Sequence, residues 1–134
     1  MSRQNIEAVH RLLAAITERD LSRMFELSDP NIEWRSFFAE LAEGGGYRGH
    51  EGMRRYLTDL SEAFDALSVE VGDLLDVGET IVGIGRIQYR GRGGGVESDA
   101  PAGWVFRFRD GKVAYFHAFR DPERVFGSVG LSDG

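Results

Sequence analysis

The chain has 134 residues, no cysteine, three histidines and a formal net charge of −6. That length holds one domain, residues 1–134, around a single core, and the absence of cysteine excludes a disulfide framework and thiolate chemistry. The negative charge opposes the phosphate contacts that nucleic acid or an anionic membrane surface requires, so neither is expected as a partner.

The segment M-S-R-Q-N-I-E-A-V-H lacks the apolar core of a signal peptide. No apolar run approaches the ~20 residues of a membrane span, so a soluble cytoplasmic protein is expected. Ile6, Val9, Leu13 and Ile16, widened by Leu12, fall at helical spacing and predict a helix over 3–18. His10 lies at the edge of that stripe with no second ligand one turn away. Asp20 reads as the cap of a short second helix carrying Leu21, Met24 and Phe25, ended by Ser28-Asp29-Pro30.

From Asn31 to Phe38 the period changes to two, with Ile32, Trp34, Ser36 and Phe38 on one face, which predicts a strand. Glu43 to Gly46 connects it to a third helix, where Met53, Leu57, Leu60 and Phe64 form a stripe bordered by Tyr56. His50, near its first turn, is expected to face solvent. Leu67, Val69 and Val71 start another strand, which turns at Val77-Gly78-Glu79 into Thr80 to Tyr89. There Ile81, Ile87 and Tyr89 share one face and Val82 and Ile84 the other, as in a central strand covered on both sides. Arg90 to Gly95 is rich in arginine and glycine, but six residues between two strand patterns in an acidic chain read as a hairpin loop, not an RNA-binding tract. The same glycines precede a strand, not a helix, and so do not form a nucleotide loop.

Trp104, Phe106 and Phe108 alternate with polar or smaller residues, and Asp110-Gly111 supplies a tight turn into a last strand. In that strand Val113, Tyr115, His117 and Phe119 are expected on one face and Ala114, Phe116, Ala118 and Arg120 on the other. Asp121-Pro122 signals a helix start. The histidines are far apart in sequence and each lacks a nearby ligand, so no metal site is expected.

In order, the motifs E-R-D-L, D-P-N-I-E-W, Y-R-G-H-E-G-M-R-R-Y-L, W-V-F-R-F-R-D-G-K-V and F-R-D resemble the SnoaL-like branch of the nuclear transport factor 2-like superfamily. That superfamily also holds ketosteroid isomerase and limonene epoxide hydrolase. The resemblance implies an α+β, cone-shaped NTF2-like (α+β barrel) fold, with helices on the concave face of a curved antiparallel sheet. It also implies a cofactor-free protein. Ketosteroid isomerase needs a carboxylate base and two acidic oxygen donors. The alignment puts Ser36, Leu12 and Trp104 at those positions, and none of them can do that work.

What the resemblance then implies is a pocket for a small hydrophobic or carbonyl-bearing molecule. Its expected lining is Trp34, Ser36, Phe38, Tyr56, Leu60, Trp104, Phe106 and Phe116. Asp121, His117 and Arg120 are the catalytic candidates for acid–base chemistry of isomerase or cyclase type. Against this, Asp121 is explained as a helix cap, and the phase of His117 turns it outward. Arg120, if inward, needs a counterion, from a ligand or from Glu33 or Asp99. The alternative is a non-catalytic domain whose rings fill the cone and whose outward sheet face pairs with a second copy as a homodimer. Limonene-type epoxide hydrolysis ranks last, since no pair of aspartates bridged by an arginine can be assigned.

Overall fold

A computed structural model describes residues 2–36 and 46–128. The elements are α1 (Ser2–Glu18), α2 (Leu21–Leu27), β1 (Ser28–Arg35), β2 (Tyr47–Arg48), α3 (Gly49–Ala63), β3 (Phe64–Val77), β4 (Thr80–Gly91), β5 (Glu97–Arg109), β6 (Lys112–Phe119) and α4 (Glu123–Ser128). Val9, Leu12, Leu13 and Ile16 bury the inner stripe of α1. Arg19 ends that helix in the left-handed region, at φ 57°. The N–H groups of Arg19 and Asp20 donate back to the carbonyls of Ile16 and Ala15, which closes the last turn. The Arg19 guanidinium is anchored on Ser61 Oγ at 2.8 Å and on the Phe64 carbonyl at 3.2 Å. Asp20 Oδ1 accepts the Arg23 N–H at 3.1 Å, so it caps α2.

The six strands form one open sheet in the order β2-β1-β6-β5-β4-β3. It is mixed, not purely antiparallel, because β1 runs parallel to β6, with Trp34 opposite Phe116. A parallel pair must be joined by a long crossover, and here nearly the whole chain between the two strands serves as that connection. β1 starts at Ser28 and ends at Arg35, earlier than the alternation suggested, and Phe38 lies outside the described residues.

The β5–β6 turn has Asp110 at φ 51° and Gly111 at φ 79°, the pair of positive values that matches the twist of a hairpin. The glycine-rich connection between β4 and β5 is also a hairpin. The N–H groups of Gly93 and Gly94 both donate to Asp65 Oδ2, at 3.1 and 3.2 Å.

One expectation for β6 fails at its start. Tyr115 pairs with Arg107 but Val113 pairs with Phe108, so Ala114 is an extra residue on β6. A one-residue bulge inverts the alternation beyond it. Val113 therefore points into the concave core instead of joining Tyr115, His117 and Phe119. That core lies under α1, α2 and α3 and contains Ile32, Trp34, Ile81, Trp104, Phe106 and Phe116. On the other side of the sheet α4 lays Val125 over Val82, Val105 and Phe119, a second and smaller cluster.

Candidate functional site

The concave face has two depths with different contents. Its inner part is filled. Trp34 stacks on Phe116 with centroids 4.1 Å apart, and Phe106 meets Phe116 edge-on at 5.3 Å. The gap left among Leu13, Ile16, Trp104, Phe116 and Ala118 is about 10 Å³, too small for any ligand. Ser36 and Trp104 both border that gap, so they face the same side of the sheet.

Towards the mouth a cavity of about 220 Å³ remains open. Ser36, just past β1, and Tyr56 and Leu60 of α3 form its inner edge. Phe64 and Leu67 of β3, with Ile87 and Tyr89 of β4, form one wall, where Phe64 and Tyr89 meet edge-on at 5.0 Å. Ala100 and Pro101 of β5 form the other wall, and Arg120, which follows β6, sits at the rim. The apolar members come from strands of period two and one helical stripe, so a single concave surface collects them.

Of the residues expected to line a pocket, Ser36, Tyr56 and Leu60 line this cavity, and so does Arg120, which was expected as a catalytic candidate. Trp104 and Phe116 border only the filled gap deeper in the cone, and Trp34 and Phe106 are fully buried core. Phe64, Leu67, Ile87, Tyr89, Ala100 and Pro101 were not anticipated as lining. A signal did exist: Ile87 and Tyr89 share a face in the alternation of β4, and the hairpin register sets Ile87 opposite Ala100.

The catalytic candidates are not brought together. His117 is half-buried on the opposite face of the sheet. Its ring stacks on Phe119 at 3.9 Å, and its Nδ1 lies 3.1 Å from Tyr115 Oη. Asp121 is exposed and does not line the cavity. Its Oδ1 accepts the Glu123 N–H at 3.0 Å, and its carbonyl accepts the Arg124 N–H, so it starts α4. His50 is half-buried, less open to solvent than expected, because it stacks flat on Phe25 at 4.4 Å, with Nε2 3.3 Å from the Ser28 carbonyl. Among the described residues no three His, Asp or Glu side chains gather as metal ligands. No helix there is long and apolar enough to cross a membrane.

The electrostatics turn on Arg120. Both carboxylates that the sequence offered as its counterion are engaged elsewhere. Glu33 pairs with Arg48 at 2.9 Å and Asp99 with Arg86 at 2.6 Å. The Arg86 hydrogen bond holds the Asp99 carboxyl below its usual range, with Gln88 adding to the effect. Among the described residues lining the cavity, Arg120 alone carries a charge. Burial pushes the Tyr56 phenol well above its usual range, so near neutral pH it is a protonated hydroxyl, able to donate but not to act as a base.

Solved structures share this architecture. An NTF2-like protein of unknown function from Burkholderia pseudomallei is 19% identical with a TM-score of 0.79, covering 98% of each chain. TerC, co-crystallised with polyporic acid, is 21% identical with a TM-score of 0.78, over 88% of this chain and 92% of that one. A SnoaL-like polyketide cyclase from Jannaschia sp., so described without proof of activity, is 21% identical with a TM-score of 0.75, over 98% and 94%. No curated protein matches the chain. The family profile that does match is described as a SnoaL-like domain, and it spans residues 9–116. With the open α+β sheet, the helices over its concave face and a family match across most of its length, the chain belongs to the SnoaL-like family of NTF2-like proteins.

Proposed function

We propose that the protein binds a small, mainly apolar molecule bearing a carbonyl-type oxygen in the cavity at the mouth of its concave face. The observation that carries this reading is the cavity itself: about 220 Å³, walled by Leu60, Phe64, Ile87 and the Tyr89 ring, with Ser36, Tyr56 and Arg120 at its edge. A few polar groups in an apolar concavity suit recognition of one oriented small molecule. TerC's co-crystallisation with polyporic acid supports a ligand in a relative of this fold. Acid–base chemistry by His117 or Asp121 gains no support from position, because a base must reach the proton it removes and neither residue borders the cavity.

Acetophenone is a suitable neutral probe. Calorimetric titration is expected to show saturable one-to-one binding, weakened about tenfold or more in Ala100→Phe, whose ring would occupy the space. No saturable binding by the wild type, or equal binding by the filled variant, removes the reading.

A second reading, self-association through the outward sheet face, rests on the half-buried Tyr115 and His117 and on Arg107 lying over the Tyr115 ring. This surface is smaller than the sequence suggested, since Val113 turns inward and α4 covers Phe119. Light scattering is expected to give twice the 14.9 kDa chain mass, and a strict monomer contradicts it.

A further inference from the structure

We infer that the ligand's polar end is an anion, a monocarboxylate whose charge sits on Arg120 and whose apolar body fills the cavity. The inference rests on the cavity being a ligand site and names the class of compound it takes. Three observations converge on it. The chain carries a net charge of −6, yet the described side chains lining its apolar cavity sum to a single positive charge and no negative one. Glu33 and Asp99, the carboxylates the sequence offered to Arg120, pair instead with Arg48 and Arg86, and neither lines the cavity. Arg120 is also exposed at the rim instead of buried, so an anion docked there keeps part of its hydration and escapes most of the cost of burying a charge.

The guanidinium presents a planar fork of N–H donors that matches both oxygens of a carboxylate, and such charge-assisted pairs are about twice as strong as neutral ones. A neutral ketone would use only one of those donors. One positive charge in the lining matches one negative charge on the ligand, and a net charge of −6 disfavours a second, so a monoanion fits best. Size restricts it further: a cavity of about 150 Å³ accepts benzene, so 220 Å³ suits a body of about ten non-hydrogen atoms, such as an aryl or cycloalkyl group. The apolar end would lie against Leu60, Phe64, Ile87 and Tyr89.

Cinnamate and cinnamamide have the same shape and differ in charge, so calorimetric titration of both against the wild type, Arg120→Gln, Arg120→Lys and Ala100→Phe tests the assignment. Cinnamate is expected to bind the wild type about tenfold tighter than cinnamamide. Arg120→Gln should erase that preference by weakening cinnamate far more than cinnamamide, and Arg120→Lys should keep part of it. Ala100→Phe should weaken both ligands equally. If the amide binds as well as the acid, or if the preference survives Arg120→Gln, the anion assignment is overturned and the cavity reading stands. If neither ligand binds the wild type, the cavity reading falls and takes the anion with it.

Discussion

Trp34→Ala is expected to lower the stability of the fold by about 4 kcal/mol, the range for removing a fully buried large aromatic side chain. Trp34 reaches inward from β1, stacks on Phe116 of β6 and lies tilted against Tyr56 of α3 at 5.2 Å. One ring thus ties the parallel strand pair to the helix above it. The surrounding groups sit on separate elements, β6 and α3, so they cannot all close on the void, and incomplete collapse is what makes such a truncation costly. The indole carries a liability as well: Trp34 Nε1 is buried with no hydrogen-bond partner among the described residues. Trp34→Phe removes that unsatisfied donor while keeping most of the stacking area, so it should cost about 1 kcal/mol, well below the alanine variant. Urea unfolding followed by circular dichroism, with the slope of the transition unchanged, measures both. A loss below about 1 kcal/mol for Trp34→Ala would show that this ring does not hold the concave face together.

Local sequence made much of this arrangement legible, and where it did not the reasons are physical. The alternation of Trp104, Phe106 and Phe108, the Asp110-Gly111 turn and the Asp20 cap each depend on neighbours within a few residues, and each is found where the pattern puts it. The parallel pairing of β1 with β6 depends on residues some eighty positions apart, and no local pattern records it. The Ala114 bulge adds one residue to an alternation that reads equally well without it, which is why Val113 was assigned to the wrong face.

The division of the cone into a filled depth and an open mouth was hidden for a different reason. It depends on volume: Trp34, Trp104, Phe106 and Phe116 are large enough together to occupy the depth, whereas Ala100 and Pro101 are too small to occupy the mouth. Hydrophobic pattern says which residues point inward, and only their summed bulk says where space is left. His50 follows the same logic, since its partner Phe25 lies on a different helix.

Gly85→Ala is expected to cost about 3 kcal/mol, as an overpacking change that no side-chain rotation can relieve. A methyl at Gly85 would overlap the Glu70 carbonyl oxygen and come within 3.0 Å of Val71 Cα, both backbone atoms of the neighbouring strand. The crowding comes from the pairing. Val71 stands opposite Gly85 and Asp73 opposite Ile84, leaving Gly72 as an extra residue that bulges β3 at this point. A bulge bends its strand, and β3 and β4 carry Leu67, Ile87 and Tyr89 to the cavity from the part of the hairpin beyond the bend. The alanine must push β3 away or break ladder hydrogen bonds, so the loss of stability should come with weaker binding of acetophenone.

Gly83→Ala is the control on the same strand and face. Its methyl would meet the Cδ2 end of Leu74 at 3.1 Å and the edge of Trp104 at 3.4 Å, and Leu74 can turn aside, so a cost of about 1 kcal/mol or less is expected. Unfolding curves for the two variants separate backbone crowding from a general intolerance of side chains in β4. Equal stabilities would mean that the close approach of the two strands at Gly85 is not what sets the bend, and that the open mouth has another origin.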